Sequence, residues 1–122
     1  MISLITLSIA ALLISASAEL AARGIVGPNA GAGIRIPSVM ASRAAWQAGH
    51  RAARWWMHLA ALCFAVMAIS ITVAPETMNV AVGIGVLAGL AAVTVAAVVA
   101  HRAAIRTTAV GARDAATTDS PA

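Results

Sequence analysis

Glu19, His50, His58, Cys63 and His101 are the side chains of this chain best equipped for proton transfer, nucleophilic attack or metal binding. Their spacing points away from all three. His50 and His58 are eight residues apart, where two ligands on one helix face need a spacing of three or four, and no cysteine or carboxylate accompanies them at ligand distance. Cys63 is the single cysteine, so it forms no intrachain disulfide, and a lone thiol inside an apolar run lacks the companions of a metal site. No nucleophile stands in a pattern with a base and an orienting acid, and no phosphate-cradling glycine loop is present. The reading is therefore no catalytic residue, no metal and no cofactor. Glu19 is the exception worth weighing, because an acidic residue at the end of an apolar run is costly to bury and is a functional candidate by default. Arg23 follows it at the favourable four-residue spacing, so a helical ion pair is the preferred assignment over a transport role.

The elements that must position these residues follow from composition. Hydrophobic residues make up 61% of the chain and charged residues 10%, against about a quarter charged in soluble domains. Mean hydropathy is +0.93. Three apolar blocks carry the excess: Met1 to Ala18, Trp55 to Ala74 with only His58 ionisable, and Met78 to Ala100. About 20 helical residues at a rise of about 1.5 Å cover a hydrocarbon core of about 30 Å, so each block is long enough to span. The blocks are also too long and too evenly apolar for barrel strands. The predicted fold is all-α and integral to the membrane, with one domain over residues 1–106 and spans at about 1–22, 55–74 and 78–100. A loop over 23–54 and a disordered tail over 107–122 complete it, the tail having little to bury.

Charge sets the expected orientation. All eight basic residues are arginines outside the blocks, five of them between Arg23 and Arg54 and the others at Arg102, Arg106 and Arg113. The positive-inside tendency then puts the loop and tail in the cytoplasm, the amino terminus and the turn "APETMN" outside, and the protein in a bacterial inner membrane. Ala16-Ser17-Ala18 resembles a signal-cleavage pattern, but cleavage would leave the arginine-rich loop outside, so retention of the first block is preferred. Topology accounts for the basic pI near 11.5 without a nucleic-acid partner.

Within the loop, "RGIVGPNAGAG" is rich in turn formers and reads as irregular. Helix is expected from Pro37 onward, with Ser38 or Ser42 as cap. Trp46, Gly49, Ala53 and Trp56 fall on one face and Gln47, Arg51, Arg54 and His58 on another. This predicts an interfacial helix between the first and second spans, tryptophans at headgroup depth and arginines on lipid phosphates. In the third block, Ala81, Gly85 and Gly89 share a small-residue face. Packing within the chain is preferred for it, with a homodimer seam as the alternative.

Gly33, Arg35 and Pro37 form a Gly-x-Arg-x-Pro loop that leads into a helix bearing Trp46 and the pair His50-Arg51. This arrangement, followed by two spans, resembles the SdpI family of small bacterial membrane proteins over most of the chain, from the first span to about Ala100. In residue terms, Gly33 permits a tight turn, Pro37 starts a helix, and Arg35 offers five donors to a phosphate, a carboxylate or the carbonyls of a helix end. The resemblance implies a non-enzymatic role. The family's namesake protects its producer from a peptide toxin and holds a transcriptional repressor at the membrane. A membrane-active peptide toxin, or a membrane or cytoplasmic protein, is thus the implied partner besides the bilayer. Simple anchoring of Arg35 and Trp46 at the inner leaflet is the alternative reading of the motif. An accessory subunit packing through Ala81, Gly85 and Gly89 and a small transporter working through Glu19 are the alternative functions.

Overall fold

The computed structural model describes residues 2–29 and 31–118, the first three of these in backbone only. Helix α1 spans Ile2–Ala22, the short α2 spans Pro37–Met40, α3 spans Arg43–Val73, and α4 spans Met78–Thr118 after a 3-10 turn at Pro75–Thr77. No strand occurs among the described residues. The three long helices are each long and apolar enough to cross a membrane, and the protein is an all-helical membrane protein. α3 is the central element: α1 and α4 both pack along it, and α2 rests in the angle between α3 and α4.

Local chemistry explains the boundaries. Ser42 is extended, and its hydroxyl accepts the Ala45 amide at 3.0 Å, which starts α3. At the other end Pro75 has no amide to continue the ladder, and Thr77 N–H bonds to the Ala74 carbonyl at 2.9 Å to close a tight turn into α4.

Small residues dominate the helix contacts, and most of the leucines, isoleucines and valines face outward. Ala18 and Ala21 of α1, Ala45 and Ala53 of α3, and Ala96, Ala100 and Ala104 of α4 are buried in one cluster. Leu12, Leu13, Leu62, Ile84 and Leu87 are exposed, as expected where the surroundings are lipid tails. Lipid supplies no hydrophobic force between helices, so association depends on close backbone approach and dense packing. On α4, Gly85, Gly89, Ala92, Ala96, Ala100 and Ala104 make a continuous buried ladder at spacings of three and four. A Cβ at Gly85 would lie 2.7 Å from Met67 Cβ, and one at Gly89 would lie 2.7 Å from Phe64 Cζ. Both glycines therefore pack on α3 of the same chain, with Ala81 half-buried one turn further along.

The structure differs from expectation at two places. The expected interfacial helix is not a separate element: it is the first part of α3, which runs unbroken for 31 residues. Gly49 costs about 1 kcal/mol of helix propensity but does not break the helix, because it sits tightly against Val39 and the Ala100 carbonyl. Of the residues on the helix's tryptophan face, Trp46, Gly49 and Ala53 are buried and Trp56 is exposed, with Met57 buried beside it. The tail expected to be disordered from residue 107 is helical through Thr118, and residues 119–122 lie outside the described part. It is exposed and buries almost nothing, as its composition required. Helix persists because extension from an existing helix needs no new nucleus and the segment is rich in alanine. Thr107 and Thr108 return their hydroxyls to the carbonyls of Ala103 and Ala104 at 3.0 Å.

The packing makes a differential prediction. Gly85→Val meets Met67 and should destabilise the bundle by about 1–3 kcal/mol. Gly83→Val, where an added Cβ meets nothing within 4 Å, should leave the thermal unfolding midpoint in detergent unchanged.

Candidate functional site

The end of α1 is a compact cap. Gly24 adopts φ +74°, its amide bonds to the Ala21 carbonyl at 3.0 Å, and the Ile25 amide bonds to the Leu20 carbonyl at 3.0 Å. This paired arrangement is a Schellman motif, which needs the left-handed conformation that glycine adopts without strain. Three donors from the start of α3 reach the carbonyls it leaves open. Arg43 Nη2 donates to Gly24 O at 3.0 Å, Trp46 Nε1 donates to Val26 O at 2.8 Å, and Gln47 Nε2 lies 3.5 Å from Ala22 O. Positions 43, 46 and 47 share one helix face, so a single turn of α3 clasps the end of α1 and the segment that follows it.

The chain then turns at Asn29, whose Oδ1 accepts the amides of Gly31 and Ala32 at 2.8 and 2.9 Å. It comes back to α3 at Gly33, which has φ +91°. A Cβ there would lie 2.5 Å from His50 Nε2 and 3.0 Å from the Trp46 ring. The glycine thus serves both a backbone angle and a close approach. Ile34 N–H donates to His50 Nε2 at 2.8 Å. Because that nitrogen accepts, the ring proton sits on Nδ1, which donates to the Trp46 carbonyl at 2.9 Å. His50 is fully buried and neutral, its ring centroid lies 4.2 Å from that of Trp46 with the planes tilted by 41°, and the two hydrogen bonds commit both of its nitrogens to structure.

Pro37 follows as the first residue of α2, after an extended Ile36 whose carbonyl accepts the amides of Val39 and Met40 at 3.0 Å. Val39 is fully buried against Gly49. Ser38 Oγ meets His101 Nδ1 of α4 at 2.7 Å, closing the circuit from loop to third span. Of the motif residues, Gly33, Trp46 and His50 hold the loop on α3, and Pro37 starts α2. Arg35 and Arg51 are exposed and have no hydrogen-bond or ion-pair partner among the described residues. The capping of a helix end, which the sequence reading offered to Arg35, falls to Arg43.

A second polar chain joins α1 to α3. Arg23 Nε pairs with Glu19 Oε1 at 2.7 Å, His58 Nε2 lies 3.4 Å from Glu19 Oε2, and Ser15 Oγ meets His58 Nδ1 at 2.8 Å. The three histidines thus occupy three different joints and converge on no common centre. No group of three metal-ligating side chains occurs among the described residues. Cys63 is half-buried and free. The partners of Arg43, Gln47, Ser15 and Ser38 are not expected from the sequence, in which Ser38 is only a candidate cap and Gln47 a member of the polar face. The spacing of Arg43, Trp46 and Gln47 was a usable signal, whereas the Ser15 and Ser38 bonds join residues 43 and 63 positions apart and left none.

A three-span membrane protein whose first connection is a rigid strap, locked to the head of the central helix by tryptophan and histidine, is the class that this geometry defines. The model of the SdpI/YfhL protein family matches residues 25–101, which cover the strap, α3 and the apolar part of α4. The chain belongs to the SdpI/YfhL family. No curated protein and no solved structure matches it.

Two substitutions test the strap. Gly33→Ala must give up φ +91° or displace His50, and should cost about 1–3 kcal/mol, seen as a lowered melting midpoint. Trp46→Phe keeps most of the packing but leaves the Val26 carbonyl without its donor, and should cost about 1 kcal/mol in the same measurement.

Proposed function

We propose that this protein is a non-enzymatic, partner-binding membrane protein that protects against a membrane-active peptide toxin or docks a regulator, using the strap between α1 and α3 as its recognition surface. In this reading the arginine-bearing end faces the cytoplasm of a bacterial cell, in accord with the placement of every arginine outside the apolar blocks. The observation that carries the proposal is the division of labour within the motif. Gly33, Trp46 and His50 are spent on holding the loop, while Arg35 is presented on it exposed and without a partner among the described residues. A guanidinium held on an ordered backbone loses little freedom on binding, and its planar fork suits a carboxylate or phosphate of the partner.

The accessory-subunit reading has less support. Gly85 and Gly89 are covered by Met67 and Phe64, so α3 of the same chain fills the small-residue face that a second protein would need.

The decisive variant is Arg35→Ala. It should change thermal stability by no more than about 0.5 kcal/mol, as for surface sites away from structural contacts. It should also abolish survival of expressing cells under peptide challenge, or co-purification of the regulator. Full retention of both phenotypes by a normally inserted Arg35→Ala protein would overturn the assignment. Trp46→Ala is a poor test, because loss of phenotype there follows from loss of the strap.

A further inference from the structure

The joint between α2 and α4 has the composition of a lipid site. An open groove of about 460 Å³ is lined by Ile36, Pro37, Ser38, Ala97, Val98 and His101. Its Ala97 and Val98 wall belongs to the apolar block of α4, whereas Ser38 and His101 stand where that block ends and the arginines begin. A phospholipid makes the same transition, from acyl chain to phosphate. Beyond Ser38 the surface continues into a second, mostly apolar recess of about 370 Å³, bordered by Ala41, Ile105, Thr108, Ala109 and Ala112.

The polar end is prepared for an anion. Ser38 Oγ and His101 Nδ1 are 2.7 Å apart. With the hydroxyl donating to Nδ1, the ring proton lies on Nε2, which has no partner among the described residues and is an unused donor on an exposed ring. Arg102 follows His101 along α4, and Arg35 stands just before the Ile36 wall. Both are exposed and lack hydrogen-bond or ion-pair partners among the described residues, and the nearest acidic position in sequence on α4 is Asp114. The groove therefore joins an apolar wall to uncompensated positive charge at one end, the complement of an anionic lipid.

We propose that this groove binds an anionic phospholipid, its phosphate on His101 Nε2 and Arg102 and an acyl chain along Ala97 and Val98, with Ser38 holding the imidazole in the tautomer that donates. Bound lipid would hold α2 against α4, independently of whether the strap recognises a protein.

The test is native mass spectrometry of the full chain, released from detergent and titrated with phosphatidylglycerol or with phosphatidylcholine of the same chains. Phosphatidylglycerol should be retained preferentially, and the S38A/H101A double substitution should weaken its binding by about tenfold or more. Equal retention of the two lipids, or unchanged phosphatidylglycerol binding by the double variant, would overturn the proposal. Complete displacement by millimolar inorganic phosphate would likewise overturn it, by marking a soluble anion as the occupant. Should the double variant fail to fold, Arg102→Ala, which touches neither partner of the Ser38–His101 bond, decides: preference for phosphatidylglycerol falls if the proposal holds and persists if it does not.

Discussion

The open carbonyls that follow α1 are the constraint on which the rest of the structure depends. A helix that ends near lipid cannot leave its last carbonyls to water alone, and a loop that leaves it brings more of them. Here the Schellman turn at Gly24 satisfies the first group and the side chains of Arg43, Trp46 and Gln47 reach the next. Those three residues lie on the opening turns of α3, so satisfying the end of α1 also fixes where the second span begins. The strap must then come back over Trp46, which brings Gly33 onto His50 and places α2 above Gly49. One polar demand thus sets the relation of all three spans at the arginine-bearing end.

Away from that end, polar contacts give way to close packing. α3 takes α1 on one side and α4 on the other, and in each contact alanines or glycines of one helix let the other approach closely, as Gly85 and Gly89 of α4 do for Met67 and Phe64 of α3. Larger residues at these positions would hold the backbones apart, and lipid tails would solvate them as well as a neighbouring helix does. The exposed leucines, isoleucines and valines are the other half of the same arrangement: side chains that would crowd an interface are turned outward.

The histidines show how similar residues acquire different work from their surroundings. His50 is enclosed, accepting a loop amide and donating within its own helix. His58 bridges a serine and a carboxylate of α1, and His101 meets a serine of α2 while keeping one nitrogen open. Each is a joint between elements distant in sequence. Only the last faces outward with neighbouring charge unbalanced, which is why a ligand is assigned to it and not to the others.

Sequence by itself determined that this chain spans a membrane three times with helices, because length and uniform apolarity suffice to specify a span whatever surrounds it. It also marked Gly33, Arg35, Pro37, Trp46 and His50 as a unit, since their spacing is a local property of one segment. Propensity alone carried enough information to make the tail helical, yet the absence of a burial face concealed it. Tertiary structure alone decided which motif residues serve the fold and which remain available. Arg35 and Arg43 are equivalent as guanidiniums in one segment of the sequence and differ in what stands opposite: no partner among the described residues for the first, the Gly24 carbonyl for the second. Partners 19, 43 or 63 residues apart have no pattern to read along the chain, because a hydrogen bond depends on distance in space and not on separation in sequence.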